Sequence, residues 1–82
     1  MWESNDKNYL INSIKDFLKE INIPCLDCES EPYQNKFGEY FRCRFIINEK
    51  EKYVVYNLQA FNSPDEVIKV VKESILKYIN KS

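Results

Sequence analysis

Hydrophobic and polar positions alternate with a two-residue period between Tyr40 and Phe61. In the first arm Phe41, Cys43, Phe45 and Ile47 alternate with Tyr40, Arg42, Arg44 and Ile46, the signature of a strand with one buried face. Val54, Tyr56, Leu58 and Ala60 alternate in the second arm with Tyr53, Val55, Asn57, Gln59 and Phe61. The charged run Glu49, Lys50, Glu51, Lys52 lies between them, which predicts a long β-hairpin turning there. Folded so, Ile47 faces Val54, Phe45 faces Tyr56, Cys43 faces Leu58 and Phe41 faces Ala60. Both apolar sets then share one face, because a slip of one residue would put one set on the wrong side.

The flanks carry a different period. From Asn5 to about Ile21, Leu10, Ile11, Ile14, Phe17, Leu18 and Ile21 fall on one stripe at 100° per residue, opposite Asn12, Lys15, Asp16 and Lys19. This predicts an amphipathic helix capped by Asn5 or Asp6 and closed ahead of Pro24. Leu26 and Cys28 alternate with Asp27, Glu29 and Glu31, so a first strand is expected over Cys25–Glu31 with Leu26 and Cys28 inward. One register then sets Glu29 opposite Arg42 and Asp27 opposite Arg44, an arrangement that cross-strand charge attraction favours. The stretch to Gly38, with Pro32 and Asn35, supplies turn residues. Ser63, Pro64, Asp65 and Glu66 read as a helix start with a capping box. That helix is expected to run to Tyr78 or Ile79 on a stripe of Val67, Ile68, Val71, Ile75, Tyr78 and Ile79.

The expected architecture is a single α+β domain over residues 1–82. Its order is αβββα, a three-stranded antiparallel sheet with both helices packed on the face bearing Phe41, Cys43, Phe45, Ile47, Val54, Tyr56 and Leu58. The opposite face would show Tyr40, Arg42, Arg44, Tyr53, Asn57, Gln59 and Phe61. Aromatic rings, arginine and amides together have the composition of a partner-binding patch. The alternative is a solvated face whose arginines are neutralised by Asp27 and Glu29.

Composition narrows the chemistry. There is no histidine, which takes away the commonest general base and metal ligand. Twelve basic and thirteen acidic side chains leave a net charge of −1, against the basic surplus that phosphate binding uses. Cys25 and Cys28 form a CxxC pair near Cys43, but zinc would need a carboxylate such as Asp27 as fourth ligand. A redox pair belongs at a helix start, where this one does not fall. The expected role of the cysteines is therefore packing, with no metal and no cofactor. Asp27, Glu29, Glu31, Glu49 and Glu51 alternate along a strand or share a turn with lysines and do not converge as nuclease carboxylates would. Trp2 and Tyr9 lie off the first helix's stripe, where a Trp can anchor a partner or fold back. No apolar run approaches the roughly 20 residues of a membrane span, and the first residues lack a secretory pattern, so a cytoplasmic location is expected.

The αβββα order resembles the double-stranded-RNA-binding domain and the small toxin proteins that share its topology. That RNA-binding family places a lysine cluster at the start of its second helix, where this chain has Ser63, Pro64, Asp65 and Glu66. The toxins use a catalytic histidine, which this chain lacks, so neither activity carries over. Small acidic proteins of the same topology also occur among phage inhibitors of bacterial defence systems, anti-CRISPR proteins included. The expected function is thus a non-enzymatic intracellular protein-interaction module, an inhibitor of that kind or an adaptor. Its partner would be another protein or a nucleoprotein complex, met on the outer hairpin face or at the third strand's edge, where a second copy would also fit. A nucleic-acid binder using the same aromatic and arginine face is the alternative.

Overall fold

In the computed structural model, which describes residues 2–35 and 37–81, the chain forms α1 (Ser4–Glu20), β1 (Cys25–Pro32), β2 (Glu39–Ile47), β3 (Lys50–Asn57), a 3₁₀ turn (Leu58–Ala60) and α2 (Pro64–Lys81). The strands make one antiparallel sheet in the order β1-β2-β3, with β2 in the middle. The expected α+β class and αβββα order are those observed.

The core joins the inner face of the sheet to both helix stripes. Phe41, Cys43 and Phe45 from β2 and Leu10, Ile14 and Leu18 from α1 are fully buried, as are Val67, Val71 and Ile75 from α2. Burying a side chain of Leu or Phe size contributes about 1.5–3 kcal/mol, so this cluster is the main favourable term. Leu58 completes it from the 3₁₀ turn.

The helix ends are set by local chemistry. In α1 the cap position is Glu3, whose backbone N–H donates to the Asp6 carboxylate at 3.4 Å, so Asp6 reaches back from the first turn and is not itself the cap. The helix stops at Asn22, which adopts φ +60°. Ile23 N–H donates to Leu18 O at 2.9 Å and Asn22 N–H to Lys19 O at 3.2 Å, the two bonds of a Schellman ending. In α2, Ser63 Oγ accepts from Glu66 N–H at 3.4 Å. The Glu66 carboxylate reaches one residue further back than expected, accepting from Asn62 N–H at 2.8 Å. The helix extends to Lys81, past the expected end at Tyr78 or Ile79.

The hairpin register differs from the expected one. Ile47 pairs with Lys50, Phe45 with Lys52, Cys43 with Val54 and Phe41 with Tyr56, around a two-residue turn of Asn48 and Glu49. Both turn residues have positive φ, +53° and +66°. Such mirror-image turns match the right-handed twist of the strands, whereas the ordinary type I and II turns would splay them. Lys50, Glu51 and Lys52 are therefore strand residues. The slip is even, so Val54 and Tyr56 still point inward, but Leu58 and Ala60 leave the strand altogether.

On the other side of β2, Glu29 stands opposite Arg42, Asp27 opposite Arg44 and Cys28 opposite Cys43, the expected register. It is interrupted between Cys25 and Asp27, where Leu26 is the extra residue of a bulge. Leu26 is therefore exposed, not inward as its alternation implied.

Candidate functional site

The outer sheet face is built by parity. Residues of even number on β2, and of odd number on β3 and on β1 beyond the bulge, point away from the helices, giving three cross-strand rows. They read Glu31–Tyr40–Asn57, Glu29–Arg42–Val55 and Asp27–Arg44–Tyr53. Ile46 and Glu51 follow beside the turn. Five of the seven candidate residues, Tyr40, Arg42, Arg44, Tyr53 and Asn57, are thus brought together. Gln59 and Phe61 are not. The 3₁₀ turn carries Gln59 off the sheet to lie over Gly38, and Phe61 turns toward Tyr56, ring centroids 6.0 Å apart.

Each arginine of the face is ion-paired. Arg42 Nη2 bonds Glu29, and its Nε lies 3.9 Å from Asp27 Oδ1. Arg44 Nε donates to Asp27 Oδ2 at 2.6 Å, and its Nη1 lies 3.5 Å from Glu51. The Arg44 hydrogen bond holds the Asp27 carboxyl below the usual carboxylate range, with burial opposing and both arginine charges assisting. Tyr40 OH donates to Glu31 Oε2 at 3.1 Å, which raises the phenol pKa. Asp27, Glu29, Glu31 and Glu51 outnumber the two guanidinium groups, so the face is acidic. What it offers in apolar contact is Tyr53 and Val55, 59% and 45% exposed and adjacent on β3.

The two sheet edges are unlike. β1 is bulged at Leu26 and ends in Pro32, two devices that discourage strand addition. β3 has eight residues with neither bulge nor proline. Beside it runs a groove of about 390 Å³ between Tyr53–Tyr56 and the outer turns of α2.

A second concavity, a cleft of about 690 Å³, lies where the end of the hairpin meets the helix N-termini. Trp2, Phe37 and Phe61 line it. Trp2 folds back, its indole N–H donating to Leu58 O at 2.8 Å, while Phe37 is 95% exposed. Sequence periodicity could not find this cleft, because Trp2 and Phe37 lie outside the periodic segments and the alternation puts Phe61 on the sheet face. Tyr9 is half exposed and donates to Asp65 at 2.9 Å.

All three cysteines are free thiols. Cys28 and Cys43 are buried and adjacent; the Cys28 thiol and then burial push Cys43 up, and burial foremost pushes Cys25 up to about 11. Cys25 and Cys43 therefore stay protonated near neutral pH and are poor nucleophiles. Among the described residues no group of three or more Cys, Asp or Glu side chains is arranged to hold a metal ion. No described helix is long and apolar enough to cross a membrane.

No family model, curated protein or solved structure matches this chain. The likeness to the double-stranded-RNA-binding topology therefore rests on element order alone, and the reading of function rests on the surfaces described above.

Proposed function

We propose that the chain is a non-enzymatic protein-interaction module that binds through the outer face of the β2–β3 hairpin. The observation that carries this reading is the exposed Tyr53–Val55 pair set beside the ion-paired arginine row on a face that no helix covers. Rigid rings beside arginine supply contact area at low entropic cost, and paired charges fix orientation. The acidic balance of the face favours a protein over a phosphate backbone, whose binding would call for unpaired cations.

In its finer form the reading is an inhibitor of a bacterial defence system, anti-CRISPR-like and carried by a phage or mobile element, or an adaptor acting in the cytoplasm. Small size, acidic balance and one open sheet face support it.

The test is affinity capture from a bacterial lysate after nuclease treatment, with wild type beside Arg42→Glu and Tyr53→Ala, followed by titration of the captured protein in purified form. Wild type should bind the purified partner, and either variant should weaken it about tenfold while remaining folded. Equal affinity of all three proteins would refute the reading. Capture of nucleic acid alone, lost as salt rises, would put the aromatic face to use on single strands instead.

A further inference from the structure

The open edge of β3 has both a polarity and a sign. In a hairpin closed by two residues, the pair flanking the turn exchanges both backbone hydrogen bonds, so Lys50, Lys52, Val54 and Tyr56 spend theirs on β2. Glu51, Tyr53, Val55 and Asn57 then point N–H and C=O away from the sheet. Two contacts agree with that parity. Tyr78 OH donates to Tyr53 O at 3.2 Å from outside the sheet, and Ile46 N–H, of the opposite parity on β2, turns toward β1's side to reach Pro24 O at 3.0 Å.

The groove beside this edge is cationic. Its α2 wall carries Ser74, Lys77, Tyr78 and Lys81, and no carboxylate lines it among the described residues. Lys52, on the inner face of β3, holds its ammonium group 5.9 Å from the Tyr78 ring centroid at the same place. On the outer side of the edge stand Tyr53 and Val55. A strand added here would alternate its side chains between these two environments, lysines on one side and an apolar pair on the other.

We infer that the β3 edge binds an extended segment of a partner protein in which acidic and apolar residues alternate, adding it to the sheet as a fourth strand. The acidic side chains lie toward Lys52, Lys77 and Lys81 and the apolar ones flank Tyr53 and Val55. A second copy of this chain fits less well. Its own β3 would bring Lys50 and Lys52 into the groove that Lys77 and Lys81 already line. Like charges at such spacing oppose pairing. The inference rests on the protein-interaction reading and shares Tyr53 and Val55 with it, but Arg42 belongs only to the outer face and Lys77 and Lys81 only to the groove, so loss of binding at Arg42 and loss at the two lysines are separate results.

The experiment titrates the full chain with a capped peptide of four Glu-Val repeats, followed by anisotropy of a label on the peptide and by amide exchange of the protein. Saturable binding is expected, with slowed exchange of the Val55 amide, which β2 does not use. Lys77→Glu combined with Lys81→Glu, both on the exposed side of α2, should weaken the peptide at least tenfold and leave the fold intact. The same peptide with Lys in place of Glu should not bind. Equal binding of the Lys-Val peptide, binding without protection at Val55, no binding of the Glu-Val peptide, or indifference to the double substitution would each overturn the inference. Concentration-dependent protection of Val55 in the protein alone would overturn it in favour of a second copy.

Discussion

Arg44 Nε donates to Asp27 Oδ2 at 2.6 Å across the β1–β2 pair, and Asp27 also faces the guanidinium of Arg42. One carboxylate thus sits between two arginines, which makes it the group whose ionisation the outer face depends on. Arg44 holds the Asp27 pKa below its ordinary value. The unfolded chain therefore takes up this proton at higher pH than the folded one. The resulting stability is present above the ordinary carboxylate range near 4 and is lost as pH falls through the lower, folded value. Urea titrations of wild type and Asp27→Asn should accordingly differ at pH 7, with the variant less stable. The difference should shrink steadily below pH 4; a difference unchanged at pH 2.5 would show that the ion pair is not its source.

Glu49 occupies the left-handed region at φ +66°, a conformation that costs an L-residue about 1–2 kcal/mol and glycine much less. Asn48, at φ +53°, belongs to the type that tolerates it. Glu49→Gly should therefore stabilise the fold, by about 0.5–1 kcal/mol once the added freedom of glycine in the unfolded chain is counted. Thermal unfolding reads this directly, and a lowered midpoint would refute the turn geometry.

That turn also shows how far the sequence could be read. A two-residue period fixes which side chains share a face, and the inward set of Phe41, Cys43, Phe45, Ile47, Val54 and Tyr56 follows from it. It does not distinguish registers that differ by an even number of residues, so a wide turn over Glu49–Lys52 and the observed turn at Asn48–Glu49 satisfy the same pattern. The type of turn settles it, and Asn48 was the local signal. The acid–arginine rows were legible because opposite charges select one register of β1 on β2. Leu26 was misplaced because one extra residue reverses alternation without leaving a mark in composition. Gln59 and Phe61 joined the candidate face only through the assumed length of β3. The aromatic cleft and the lysine groove depend on tertiary placement, which no periodicity encodes.

Gly38 is held chiefly by its backbone, since the Gln59 amide that lies against it is the end of an exposed, flexible side chain. At φ +99° it is where L side chains are rarely found, and a Cβ there would lie 2.5 Å from Gln59 Cδ. Gly38→Ala should destabilise the fold by about 1–3 kcal/mol. In the double variant with Gln59→Ala only the steric part should be recovered, leaving the backbone part. A double variant as stable as Gln59→Ala alone would mean that the backbone conformation carries no cost.

Trp2 is the only tryptophan, so its emission reports on one place. The indole N–H donates to Leu58 O at 2.8 Å, tying the first described residue to the turn that ends the hairpin. Trp2→Phe keeps a ring at the cleft but removes the donor, and should cost about 0.5–1.5 kcal/mol in urea unfolding. In wild type the emission should shift to the red at the same urea midpoint as the loss of far-ultraviolet circular dichroism, because Leu58 lies in the core that both helices share. A red shift at distinctly lower urea would show that the Trp2 contact opens before the core does, and the Phe variant would then lose little stability.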